Sequence, residues 1–241
     1  MKTAYFKRTV LGLGAILSVA GMALSGGSAY AAAAQTPTDA QRVQTIIAKG
    51  NQEITRRLTV LGTLSSKVAG AAKLTASDKA ALTTEVANAT AGLTQLKTKL
   101  DADTTIAAAR ADAQSIFDEY RVYALVAPKI ALIRTADDQQ SVDAKLTTLA
   151  GKLQTRLDSA KSAGKDVAAL QAKLDDMKAK TTAAAGIASS VEQAVIGLQP
   201  SDYNSNHSVL SGYRAQLQTA HSDNQAAVAD AKAIVAGLEN L

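Results

Sequence analysis

The chain has 241 residues, no cysteine and no tryptophan, with 47% hydrophobic but only 3% aromatic residues, and 26 Lys+Arg against 21 Asp+Glu. The absence of cysteine excludes disulfides, thiolate metal sites and an acylated lipobox cysteine. The net charge of +5 points at first to nucleic acid, but three cations and no acid fall in residues 1–31, leaving 23 cations against 21 acids beyond them. With acids interspersed throughout and Arg56-Arg57 the longest basic run left, nucleic-acid binding is disfavoured.

The elements begin with an export signal. Lys2, Lys7 and Arg8 form a positive start, Thr9 to Leu24 carry no charge, and Gly26-Gly27 precede Ala29-Tyr30-Ala31. Small residues at Ala29 and Ala31 predict cleavage after Ala31. The apolar run is shorter than the roughly 20 residues of a spanning helix, and no second run follows, so no stable membrane anchor is expected after cleavage. Localisation is therefore expected to be secreted or periplasmic, with residues 32–37 a short linker and 38–241 a single helical domain.

Apolar periodicity carries the rest. A first helix over about 38–73 aligns Val43, Ile47, Ile54, Leu58, Leu61 and Val68, with Thr38 as its N-cap. Thr75-Ala76-Ser77-Asp78 reads as a capping box for a second helix. Its Leu82, Val86, Ala89, Leu93, Leu96 and Leu100 follow the 4-3-4-3-4 spacing of a knobs-into-holes seam. A third helix over about 104–134 is expected to kink near Pro128, which lacks an amide donor and opposes the carbonyl of Ala124. A β-strand is the competing reading of the apolar run 122–133. A fourth helix spans about 139–163 with Gly164 at its end, and a fifth about 167–198. The fifth carries an unbroken 3-4 seam from Val167 through Leu174, Met177, Thr181, Ala184, Ala188, Val191 and Val195. Residues 200–206 read as a loop, and a sixth helix runs from Leu210 to the end. Leu58, Leu61, Asp78, Leu82 and Val86 recur 88 residues later at Leu146, Leu149, Asp166, Leu170 and Leu174, a weak sign that helices one and two repeat as four and five. The expected fold is all-α: an elongated bundle of about six long helices with coiled-coil-like seams.

Chemistry concentrates in one stretch, Ser115 to Tyr123, which holds Phe117, Tyr120 and Tyr123, three of the five aromatics beyond residue 31. With Glu119 and Arg121 they make a candidate binding patch for a glycan or a protein; the plainer alternative is that the rings fill the centre of the bundle. Glu119 is also the candidate acid of a cell-wall polysaccharide hydrolase, although Asp118 points about 100° away around a helix and no tryptophan is present to stack a sugar. His207 and His221 are too far apart along a helix to share a metal. The pairs Asp101/Asp103, Asp137/Asp138 and Asp175/Asp176 lack the glycine and glutamate of a calcium loop, so no metal site, no cofactor and no catalytic residue is assigned.

The small-residue cleavage site, the run Ser115 to Lys129 and the stretch Gln199-Pro200-Ser201-Asp202-Tyr203-Asn204-Ser205 together resemble uncharacterised secreted all-α-helical proteins of bacteria. The resemblance implies export and helicity over nearly the whole chain and supplies no activity. The expected function is accordingly non-catalytic: binding or scaffolding in the cell envelope or extracellular space. The partner is expected to be a protein or envelope component, or a second copy of the chain in a homo-oligomer. A polysaccharide hydrolase and a periplasmic holdase-like chaperone are the alternatives.

Overall fold

The computed structural model describes residues 36–241; the expected signal segment and its cleavage site at Ala29 and Ala31 lie outside them. Residues 37–241 form one compact unit. In chain order it comprises α1 (Asp39–Ala69), α2 (Ala76–Asp101), α3 (Ile106–Asp118), a π-helical turn (Val122–Val126), α4 (Ala127–Ser162), α5 (Ala168–Ile196), α6 (Pro200–Ser205) and α7 (Tyr213–Glu239). The expected all-α bundle is thus found, without a strand among the described residues.

The six longer helices pack as two groups of three, with the short α6 against α3 and the π turn. In the first, α1 and α2 form an antiparallel hairpin, with Asn51 Nδ2 donating to Asp101 Oδ1 at 2.6 Å and Lys79 Nζ to the Ala69 carbonyl at 2.6 Å, and α3 lies against both. The second consists of α4, α5 and α7. The apolar stripes read from sequence are what these helices bury. All six seam residues of α2 are buried, as are Leu174, Met177, Thr181, Ala184, Ala188, Val191 and Val195 of α5. Full burial of one such leucine is worth about 1.5–3 kcal/mol against exposure, and an alanine far less, so the alanine-lined α5 depends on length. Gly50 leaves room for the facing helix of the first hairpin: a Cβ there would stand 2.5 Å from Leu100 Cδ2.

The expected hairpin correspondence appears, but not at the 88-residue register. The corner helices α1 and α4 end at Ala69 and Ser162, 93 residues apart, and α2 and α5 begin at Ala76 and Ala168, 92 apart. Residues 88 apart therefore do not hold equivalent places; Asp78 is buried while Asp166 is exposed.

The expected kink near Pro128 is replaced by a break ahead of it. Here α3 ends at Asp118, Arg121 takes the left-handed conformation (φ 42°, ψ 36°), and the chain re-enters a helix through the π turn. Pro128 then falls in the first turn of α4, where a missing amide donor is tolerated. With the proline accommodated there, α4 runs on through Arg134 to Gln140, where the sequence had placed a boundary between two helices. The π turn and helix also settle the apolar run 122–133 against a strand. Residues 200–205, read as a loop, form the short α6, whose Pro200 occupies the first turn and whose Asp202 accepts from the Gln199 amide at 2.7 Å. Among the described residues no helix is long and apolar enough to cross a membrane.

Candidate functional site

The break between α3 and α4 distributes the aromatic segment over three environments instead of one face. Phe117 and Tyr123 emerge on the same side and are 41% and 48% exposed. Between α1 and these rings lies Arg57, itself buried, with its guanidinium carbon 4.6 Å from the Phe117 centroid and 5.1 Å from that of Tyr123. Such cation–π contacts contribute about 0.5–2 kcal/mol each, more as the cation is desolvated. Glu53, one turn earlier on α1, accepts from Arg57 Nη1 at 2.6 Å and from Arg56 Nη1 at 2.7 Å. The hydrogen bond from Arg57 holds the Glu53 carboxyl below its ordinary range, with the charges of both arginines adding to it. The result is a fixed, solvent-facing pair of rings with an arginine beneath them.

Tyr120 points elsewhere. Its ring lies against Gly92 of α2, where a Cβ would stand 2.6 Å from Tyr120 Cε1; glycine at that position is what admits the ring. Half-burial, with a smaller contribution from the charge of Glu119, raises the Tyr120 hydroxyl above its ordinary range. Tyr120, Glu119, Glu85, Asn88 and Pro200 line a cleft of about 420 Å³. At its side Lys129, only 1% exposed, donates to Glu85 Oε1 at 2.8 Å and to the Leu198 carbonyl, tying α2, α4 and the end of α5 together.

Arg121 serves the third environment. Its left-handed backbone ends the α3 segment, and its side chain donates to Asn204 Oδ1 at 2.5 Å and Asp118 Oδ1 at 3.1 Å, 5.3 Å from the Tyr203 ring. Asn204 Nδ2 in turn donates to the Asp118 carbonyl at 2.8 Å. A non-glycine residue in this conformation costs about 1–2 kcal/mol, and the contacts to α6 offset it. Of the five sequence-predicted residues, the structure therefore brings together only Phe117 with Tyr123 and Tyr120 with Glu119, and turns Arg121 to a structural role. Arg57, the residue that joins the first pair, was missed because it sits some sixty residues away on another helix.

Two further features join residues that the sequence offered only singly or in adjacent pairs. Between the α4 and α7 helices, clefts of about 550 and 520 Å³ adjoin through Gln139 and His221. Beneath them Asn224 Nδ2 donates to Gln139 Oε1 at 3.1 Å, and both oxygens of the buried Asp143 lack a hydrogen-bond donor. Burial raises the Asp143 carboxyl above its ordinary range, partly offset by the neighbouring Asn224 amide. Separately, Asp78, Asp137 and Glu192 converge from α2, α4 and α5. His207 stacks on Tyr203 ahead of α7 and His221 lies within α7, so the two histidines serve separate places.

Comparison with known proteins finds no matching family model, no matching curated protein and no matching solved structure.

Proposed function

We propose that the chain is an exported, non-catalytic helical-bundle protein that works by binding or scaffolding in the cell envelope or extracellular space. Export rests on the charged start, the apolar run and the Ala29-Tyr30-Ala31 site of the sequence, and the resemblance to secreted helical bacterial proteins points the same way. The observation that carries the binding reading is the exposed Phe117 and Tyr123 pair seated on the buried Arg57. Two large rings left in water forgo the burial that would repay them in the core, and their attachment to a fixed guanidinium removes conformational freedom before any partner arrives. Such preformed aromatic surface with a cationic base suits a protein or envelope component presenting apolar or sugar-ring faces. Crosslinking with mass spectrometry on intact producing cells tests this. Crosslinks to a defined partner that disappear in Phe117→Ala/Tyr123→Ala, with helicity by circular dichroism unchanged, support it. Crosslinks unaffected by the double substitution reject this surface as the binding face.

A hydrolase centred on Glu119 is the second reading, favoured by the cleft in which Glu119 and Glu85 both appear beside Tyr120. Lys129 neutralises Glu85, which leaves Glu119 as the proton donor in that scheme. Turnover of labelled peptidoglycan that is abolished by Glu119→Gln would establish it, and no turnover by the folded protein would remove it.

A further inference from the structure

The capping box expected at Thr75 to Asp78 is only half formed, and the missing half leads to a site. In a reciprocal box the Thr75 hydroxyl accepts from the Asp78 amide while the Asp78 carboxylate accepts from the Thr75 amide. The first bond is present at 3.1 Å, but the Thr75 amide donates instead to Asp137 Oδ2 of α4 at 2.9 Å. Asp78 Oδ2 takes the Thr75 hydroxyl at 2.6 Å. This exchange brings two carboxylates from different helix groups together, and Glu192 of α5 joins them. One oxygen of each residue lies within 4.8 Å of the others.

The three acids are not neutralised by the protein. No lysine, arginine or histidine forms an ion pair with any of them among the described residues. Gln140 Nε2 donates to Glu192 Oε2, which orients that carboxylate without supplying charge. Asp137 is only 2% exposed, and its Oδ1 is sealed from solvent with no hydrogen-bond donor. A buried carboxylate oxygen without a partner carries a desolvation penalty of about 1–3 kcal/mol or more, and like charges at this spacing repel by several kcal/mol at an effective dielectric near 20. The start of α2 favours Asp78, in its first turn, and Asp137, through the Thr75 amide, but no cationic side chain balances the three charges.

We propose that Asp78, Asp137 and Glu192 bind one hard divalent cation, which clamps the start of α2 to α4 and α5 and so joins the two helix groups. The donor set is all oxygen and anionic, the chemistry that selects calcium, magnesium or manganese over softer metals. Oxygens placed within 4.8 Å of one another fit around an ion with ligand distances of ~2.3–2.6 Å, with water completing the shell. The cation supplies the positive charge that Asp137, held only by the Thr75 amide, lacks. This site is independent of the aromatic surface proposed above.

The test uses the full chain stripped with a chelator, titrated separately with calcium, magnesium and manganese chlorides by calorimetry, and with manganese by water-proton relaxation. Saturable binding of one ion per chain is expected, together with a rise in melting temperature. Asp137→Asn and Glu192→Gln should weaken it by roughly tenfold or more, while Asp138→Asn, on the exposed partner of Lys73, leaves it unchanged. Asp137→Asn also separates loss of binding from loss of fold: in the metal-free chain it should melt at a higher temperature than the parent, because it removes a repelling charge. The proposal is overturned if the parent chain shows no saturable site up to roughly 10 mM, above the range of the weakest dedicated calcium modules. It is equally overturned if one-to-one binding survives both Asp137→Asn and Glu192→Gln.

Discussion

The two helix groups bury their interiors differently. The core around α1, α2 and α3 is continuous, reaching into the near ends of α4 and α5, and apart from Asp78 at its edge its buried charges are paired: Arg57 with Glu53, Lys129 with Glu85 and Asp112 with Lys99. The second core, between the far parts of α4, α5 and α7, is a separate cluster. The two are parted by Gln139, Asp143 and Asn224, and carboxylates there stay without cations. Apolar burial does not change with pH, whereas an uncompensated buried acid does. The first core is therefore expected to answer mainly to changes in packing, and the carboxylates where the groups meet, Asp78, Asp137, Glu192 and Asp143, to protons and ions.

The largest effect expected is in the first core. Leu93 is fully buried in the unbroken α2 seam, and Leu93→Ala should lower unfolding free energy by about 3 kcal/mol, measured by urea denaturation at constant m-value. Next comes the pH response of the carboxylates where the two groups meet. Burial, with the charges of Asp78 and Glu192 adding to it, pushes the Asp137 carboxyl up to about 6 despite the Thr75 amide, and Asp143 also lies above its ordinary range. An acid whose folded-state value is raised binds its proton more tightly folded than unfolded. Its stabilising contribution is complete below about pH 4 and is lost as pH rises through about 6. In the chelator-stripped chain Asp137 alone should therefore cost stability on the order of 2 kcal/mol between pH 4 and 7, with Asp143 acting in the same direction. Asp137→Asn should flatten most of that slope in denaturation series at fixed ionic strength, and Leu93→Ala should leave it intact. A slope unchanged by Asp137→Asn would break the contrast between the groups.

Third in size is Arg57→Met, which keeps the stem of the side chain but removes the charge under Phe117 and Tyr123. A loss of about 1 kcal/mol is expected, since two cation–π contacts and a partly exposed ion pair are replaced by apolar packing. Because these contacts belong to the compensated half of the molecule, the loss should be the same at pH 5 and pH 7.

How much of this was legible follows from where each feature's determinants lie. The seams of α2 and α5 are carried by residues three and four apart on one helix, so periodicity alone identified their buried faces. Pro128 was a true signal misplaced: a proline ends a helix or begins one, and only the left-handed Arg121 seven residues earlier decides which. Nothing in an arginine announces that conformation. Pro200 followed by Asp202 was a readable helix start, overlooked among turn-forming residues. The Phe117–Arg57–Tyr123 stack and the Asp78–Asp137–Glu192 cluster each join helices more than fifty residues apart, and no local pattern encodes that meeting.

The smallest effects separate the two hairpin corners. At the first, Thr75 caps α2 with its side chain while its amide is held by Asp137 of the other group, so the corner belongs to both cores at once. At the second, Gly164 turns the chain at φ 77° and Asp166 accepts from the Ala168 amide at 3.0 Å on an exposed surface. Removing an N-cap such as Thr75 costs about 0.5–2 kcal/mol depending on how well water replaces it, and the Asp166 bond, made from the residue before the Val167 cap, counts at or below the low end. Thr75→Ala should therefore cost about 1 kcal/mol and Asp166→Ala about 0.5 kcal/mol in the metal-free chain. Adding the divalent cation should enlarge the first difference, because Thr75 positions Asp78 through its hydroxyl, and should leave the second where it was. Equal responses at the two corners would mean that Thr75 acts only as an ordinary helix cap and that the corner carries no link between the groups.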